Sequence, residues 1–288
     1  VKVGGNLGTP ALDLICEDAP DWYVLELSSF QLETVVSLTP EAAVILNVSE
    51  DHMDRYDGID AYVEAKTHIF NGDGIVVKNL DDRALLEILT RDFADRKTIT
   101  YSVDPTQKAD VCVTEHEGVT WIAFNGQLLL KADSLRLPGR HNLSNVMAAL
   151  ALVSVMGGDM SAAAIAATEF TGLPHRVQWV GEANGVRWFN DSKATNVGAT
   201  AAAVAGMQCP IVLIAGGDGK GADFSQLAEV LGNGVRQVIL IGRDGPKIAE
   251  AVAAKVATSY AADMKEAVMQ AQTVAQPGDA VLLSPACA

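Results

Sequence analysis

Basic residues are scarce: 21 lysines and arginines stand against 36 acids, a formal net charge of −15 over 288 residues. So acidic a chain repels a phosphodiester backbone unless a local patch overrides the field, and no such patch is present, which excludes nucleic-acid binding. Cysteine is sparse as well. The four thiols (Cys16, Cys112, Cys209, Cys287) show no CxxC spacing, so neither a zinc site nor a disulfide framework is indicated and buried free thiols are expected. Long apolar runs are missing: none approaches the roughly 20 residues needed to cross a bilayer. The first residues carry no basic-then-apolar leader pattern, and the expected location is the cytoplasm, without membrane contact. An initial methionine is absent too, and both ends read as cut.

What is present is a 49% hydrophobic composition, enough for two ordinary cores. From residue 21 onward short apolar runs alternate with longer helical patterns, which argues for parallel sheets covered by helices. Strands are predicted at 22–27, 42–48 and 74–79. Between 98 and 137 the runs shorten into a small antiparallel annex, with Asn125-Gly126 at a tight hairpin turn. Helices are predicted from Leu143 to Met156, capped by Asn142, and behind Ser161; TGLPHR (171–176) then reads as a domain linker. Beyond it lie strands at 177–180, 186–190, 211–215, 235–241 and 280–284 and helices near 197–206, 223–231, 245–254 and 263–275, an order that suggests an open Rossmann-type sheet.

Three charged residues stand where a core would not invite them. Glu26 lies inside YVLELSS, where a bare carboxylate is costly unless paired or metal-bound; it either points off an edge strand or belongs to a polar site with the serines and Gln31 behind it. His52 closes the next strand in EDHMDRY, either as a loop hydrogen-bonder or beside carboxylates that hold a hard cation. Lys66 shares a helical stripe with Tyr62, Ile69 and Phe70, in a helix that Asp60 is expected to cap. Such a lysine either snorkels or is a desolvated amine able to take up carbon dioxide as a carbamate.

In order along the chain come VGGNLGTPAL, VLELSSFQLE, LNVSEDHMDRY with AYVEAK, LPGRHNLSN, TGLPHR, NDSKATN, AGGDGKGADF and LLSPACA. This series resembles the Mur ligases over essentially the whole chain, and among them the branch that adds D-glutamate to UDP-N-acetylmuramoyl-L-alanine in peptidoglycan synthesis. The resemblance implies an α/β architecture. A P-loop-NTPase-like central domain would occupy residues 1–173, with a parallel sheet and the antiparallel annex but no phosphate loop, and a Rossmann-like amino-acid-binding domain residues 174–288. It implies ATP-dependent carbon–nitrogen ligation through an acyl phosphate, with two Mg2+ ions held by Glu26, His52 and a carbamate on Lys66. It further implies that Asn142 and Asn145 contact adenine, Arg176 the phosphates and Asp191 the ribose. Lys193, Thr195 and Lys220 would surround the amino-acid carboxylate, and Asn6 and Ser28 would face the muramoyl-alanine end. A monomer acting on small molecules is expected.

The pattern departs from the family in one respect that bears on activity. No Gly-Lys-Ser or Gly-Lys-Thr loop occurs, and GGDGKG (216–221) is no substitute, because Gly221 stands where a magnesium-binding hydroxyl belongs. Little or no ligase activity is therefore expected of these 288 residues alone. The alternatives are a sibling Mur ligase or a folylpolyglutamate synthase with another acceptor. A nicotinamide dehydrogenase is disfavoured by the glycine spacing after LIA, and a binding module without chemistry by the joint presence of Glu26, His52 and Lys66.

Overall fold

The computed structural model describes residues 1–15, 18–137, 139–232 and 234–288. Two short strands open the chain, β1 (Lys2–Gly5) and β2 (Tyr23–Glu26), paired in parallel as a sheet of their own. Helix α1 (Ser29–Thr34) follows at once because Ser28 and Gln31 form a capping box, Gln31 N donating to Ser28 Oγ at 3.3 Å and Ser28 N to Gln31 Oε1 at 2.9 Å.

The second sheet begins with β3 (Ala42–Val44), shorter than the predicted 42–48. Ile45–Val48 stays extended without ladder bonds; side chains hold it instead, Asn79 Nδ2 donating to Leu46 O at 2.8 Å and Val48 N to Asp82 Oδ2 at 3.0 Å. Helix α2 (Ile59–Thr67) comes next, then β4 (Ile75–Asn79) and α3 (Arg83–Asp92). The N-cap of α2 is Gly58, so Asp60 sits inside the first turn and does not cap. In α3, Asp82 accepts from Leu85 N, and Leu85 and Leu89, one turn apart, are fully buried.

Strands β5 (Thr98–Ser102), β6 (Val111–His116), β7 (Val119–Phe124) and β8 (Gln127–Lys131) complete this sheet in the order β3-β4-β5-β6-β7-β8. The first four run parallel and the last two pairings are antiparallel, so the expected annex is a continuation of the main sheet. Its hairpins turn on Glu117-Gly118 and Asn125-Gly126, all at positive φ. Helix α4 (Arg140–Val155) buries Met147, Ala148, Leu150 and Ala151 against β5 and β6 residues, and α5 (Met160–Glu169) packs beside it. Both starts differ from expectation. Gly139 caps α4, with Asn142 already in its first turn, and Asp159 rather than Ser161 caps α5.

After the linker a third sheet forms. Its elements in chain order are β9 (Gln178–Ala183), β10 (Val186–Asn190), α6 (Val197–Gly206), β11 (Ile211–Gly216), α7 (Ser225–Val230), β12 (Val235–Ile241), α8 (Gly245–Val252), β13 (Thr258–Tyr260), α9 (Met264–Val274) and β14 (Ala280–Leu283). The short strand β13 was not anticipated. The order β13-β12-β11-β14-β10-β9 is parallel except for the β9–β10 hairpin. Every residue of β11 is buried: Ile211, Leu213 and Ala215 enter one core, Val212 and Ile214 the other, as a central strand covered on both faces requires. The sequence direction reverses between β11 and β14, so the loops behind these strands open a crevice at their carboxyl ends.

The apolar clusters of the second and third sheets share no residue. Where the two meet, α6 abuts the first lobe at both ends: a Cβ added to Gly198 would lie 2.9 Å from Ser49 Cβ, and one added to Gly206 3.0 Å from the His141 ring. Among the described residues no helix is long and apolar enough to cross a membrane. Cys112, Cys209 and Cys287 are free thiols as expected, but only Cys287 is buried, Cys112 and Cys209 being half-buried; Cys16 lies outside the described residues.

Candidate functional site

Glu26 ends β2 directly opposite Gly5, and Asn6 N donates to Glu26 O at 2.7 Å. The Glu26 side chain is exposed, the first of its two expected settings, because β2 is an edge strand with no covering layer on that side. Among the described residues nothing donates a hydrogen bond to its carboxylate. The polar tract behind it serves local structure: Ser28 and Gln31 bind each other in the α1 cap. Gly5 is indispensable to this corner, since at φ 119° an added Cβ would sit 2.1 Å from Glu26 O. Gly5→Ala is expected to unpair β1 from β2 and to cost about 2 kcal/mol, read as a lowered urea midpoint.

An aromatic chain links α1 to the EDHMDRY loop and to α2. The Phe30 ring stands edge-on to His52 at 4.7 Å and stacks with Tyr56 at 6.2 Å; Tyr56 meets Tyr62 at 5.2 Å; and Lys66 Nζ lies 4.7 Å above Tyr62. Arg55 lies over the Phe30 ring and pairs with Glu33 of α1, so this charged residue of the loop is accounted for by docking α1. His52 itself has φ 58° and is held in a turn by its backbone carbonyl, which accepts from Arg55 N and Tyr56 N.

Lys66 is half-buried, and Phe70 and Tyr62 of its stripe are buried, so this face of α2 does turn inward. Burial lowers the ammonium's pKa below the ordinary lysine value, and the carboxylates of Asp51 and Glu26 offset part of that fall. Glu26, Asp51 and Lys66 therefore share one electrostatic neighbourhood. The Tyr62 hydroxyl beneath is pushed up to about 12, by burial first and then by Asp51 and Tyr56.

Asp51 is the residue that sequence reasoning missed as an individual. Its Oδ1 accepts from His52 N at 2.9 Å and from Lys220 Nζ at 3.3 Å, and its Oδ2 from Asn196 Nδ2 at 3.2 Å; His52 Nε2 stands 3.7 Å away. The only signal was its place in a run of three acids, which gave no reason to choose it over Glu50 or Asp54.

The remaining expected residues fall into three groups. Lys220 lies in the crevice loop behind β11 at φ 50°, its amide donating to Asp218 Oδ1 at 3.0 Å. That loop closes on the protein's own carboxylate, Gly219 N donating to Asp244 Oδ2 at 2.7 Å. Asp191 follows β10 and is buried, with Oδ2 accepting from Ser284 Oγ at 2.8 Å and Oδ1 from Val177 N at 3.1 Å; burial raises its pKa against these two bonds and the nearby Arg176. Lys193 N donates to His175 O at 3.1 Å and Thr195 N to Lys193 O at 3.0 Å, so the NDSKAT segment is laced to the linker that carries Arg176. Asn142 and Asn145 stand on α4, whose amino end faces the carboxyl end of α6 through His141 and Gly206.

Among the described residues no three of His, Cys, Asp and Glu form a metal cluster. Mg2+ does not require such a cluster, because this ion keeps several waters and is commonly bound by one or two carboxylates together with substrate phosphates. The accessible Glu26 carboxylate beside Lys66 and the Asp51–His52 pair supply such a partial donor set.

Residues 5–153 match the Mur ligase middle domain and residues 175–287 the Mur ligase glutamate ligase domain. The chain is 48% identical over 291 residues to the UDP-N-acetylmuramoylalanine--D-glutamate ligase of Nitrosococcus oceani, covering 100% of this chain and 63% of that protein. It is 49% identical over 292 residues to the protein of the same name from Pseudomonas putida, again over 100% of this chain and 64% of the relative. It thus spans a little under two thirds of the length of these curated relatives. The fold is shared with MurF ligase from Thermotoga maritima in complex with ADP, at TM-score 0.66 and 18% identity over 91% of this chain and 63% of the other.

Proposed function

The chain belongs to the Mur ligase family, and from that premise we propose that its protein joins D-glutamate to UDP-N-acetylmuramoyl-L-alanine with ATP, through an acyl phosphate, in peptidoglycan synthesis. We place the lobe boundary at 173/174, in the linker. The observation that carries the reading is the line Lys66, Asp51, Lys220 across the junction of the lobes. It sets a cation suited to an acidic amino acid beside the residues suited to hold magnesium.

Glu26 and His52 would hold Mg2+, joined by Lys66 as a carbamate, whose formation the lowered amine pKa favours because carbon dioxide reacts with the uncharged amine. When bound, the metal offsets the repulsion between ATP and the muramoyl carboxylate. Asn142 and Asn145 would meet the adenine and the exposed Arg176 the phosphates, while Asn6 and Ser28 orient the muramoyl-alanine end next to Glu26. Lys193, Thr195 and Lys220 would take the carboxylates of D-glutamate, so that its amine attacks the acyl carbon and phosphate leaves. For Asp191 we propose a positioning part in place of direct ribose contact, because both its oxygens already hold Ser284 and the linker amide of Val177.

An acceptor panel on the gene product that contains this chain tests the assignment. With ATP, Mg2+ and UDP-N-acetylmuramoyl-L-alanine, phosphate release with D-glutamate should exceed that with L-alanine, L-lysine or L-glutamate by about 100-fold or more. Preference for any other acceptor overturns the assignment in favour of a sibling ligase.

A further inference from the structure

The crevice loops behind the neighbouring strands β11 and β12 are tied together by one buried carboxylate, Asp244. By position Asp244 is the N-cap of α8, yet its side chain makes no capping bond there. An aspartate at that place ordinarily accepts from an amide of its own first turn. Here Oδ2 reaches across to the β11 loop instead, accepting from Gly219 N at 2.7 Å, while Oδ1 meets Lys247 Nζ at 3.0 Å. The main chain makes the same crossing, Asp244 N donating to Gly217 O at 3.0 Å. Arg243 Nη2 donates to Asp244 Oδ2 at 3.1 Å and also to Asp218 Oδ1. Arg243 first, then the Gly219 amide and Lys247, hold the Asp244 carboxyl well below the usual carboxylate range, so it stays ionised.

The consequence falls on the next residue along the chain. Both amides that lead into Lys220 are taken by carboxylates: Gly219 N by Asp244, and Lys220 N by Asp218 Oδ1 at 3.0 Å. Arg243 links these two carboxylates, and the β14 end holds the loop from its other side, Asp218 N donating to Ala288 O at 3.0 Å. Such anchoring matters in GGDGKG (216–221), where four glycines surround a lysine at φ 50° and an unheld main chain would sample many conformers.

We propose that Asp244 is a positioning residue of the acceptor site: by binding the Gly219 amide it fixes the main chain from which Lys220 extends to the acceptor carboxylate. The inference rests on the assignment of Lys220 to D-glutamate. Asp244 acts through Lys220 and does not itself touch the acceptor.

Steady-state kinetics on the gene product that contains this chain, with each substrate varied in turn, test the role. Asp244→Ala should raise the KM for D-glutamate about 10- to 100-fold while the KM values for ATP and UDP-N-acetylmuramoyl-L-alanine stay within about twofold. A general loss of stability would not single out one substrate. Asp244→Asn keeps an oxygen for the Gly219 amide and should recover most of the loss. Asp244→Ser can still cap α8 but falls short of Gly219; it should behave as the alanine variant does, and it carries the test if Asp244→Ala fails to fold by circular dichroism. Combining Asp244→Ala with Lys220→Ala should be no worse than Lys220→Ala alone. An unchanged D-glutamate KM in Asp244→Ala and Asp244→Ser, with Lys220→Ala impaired, overturns the positioning role and leaves the acceptor assignment standing. Effects that multiply in the double variant overturn it too. An unchanged D-glutamate KM in Lys220→Ala refutes the assignment of Lys220 itself, and the positioning role with it.

Discussion

Lys66→Ala in the gene product that contains this chain should lower the kcat of the proposed ligation by about 100- to 1,000-fold, the range seen when one preorganised group facing developing charge is removed. The expectation rests on placement. Lys66 is on the inward face of α2, over the Tyr62 ring, within the field of Asp51 and Glu26, and its burial favours the neutral amine. Lys66→Arg separates the two ways such a residue can act. Arginine keeps the positive charge but forms no carbamate at neutral pH, so it should be as impaired as alanine if the carbamate matters. Near-normal turnover in the arginine variant would show that charge alone suffices. Labelled bicarbonate gives an independent reading: a slow-exchanging carbamate carbon signal in the unaltered protein should vanish in both variants.

Asp191→Ala should destabilise the second lobe by about 2 kcal/mol, because it leaves the Val177 amide without its side-chain acceptor and the buried Ser284 hydroxyl with only Thr200 Oγ1 at 3.0 Å. For a domain of this size that is a fall of about 10 °C in Tm. The pH dependence has a definite sign. Burial raises the Asp191 pKa above its ordinary value in the folded state, so the folded protein binds this proton more readily than the unfolded one. The carboxyl's contribution is then greatest below the unfolded value of about 3.9 and declines as pH rises through the folded pKa. The cost of Asp191→Asn, from urea titrations across pH, should therefore shrink as pH increases. A cost that grows with pH would mean that Asp191 is held as a favoured carboxylate.

How far the sequence could be read depended on what held each element. The strands of the third sheet were legible because β11, β12 and β14 are buried runs bounded by glycine and proline, and Asn184-Gly185 marked its hairpin. Strand β13 escaped because three residues, TSY, carry no pattern. The overlong β3 has the opposite cause: Leu46, Asn47 and Val48 look like strand, but their partners are the Asn79 and Asp82 side chains, which no local pattern reveals. Caps were misplaced by two or three residues since Asn142 and Asp60 are good caps by type, whereas the backbone turn falls at Gly139 and Gly58. The inward face of Lys66 was readable from helical spacing. The importance of Asp51 was not, because Lys220 is 169 residues away.

The abutment of α6 sets a limit on how closely the lobes can approach when they do meet. At Gly198 and Gly206 the approach is made by bare main chain of α6 against the Ser49 and His141 side chains, with no side chain of α6 interposed. On the α6 side the gauge of the cleft is thus the covalent backbone of a helix, which does not hop between rotamers. Reactants delivered from opposite lobes would arrive in the same register each time the joint seats.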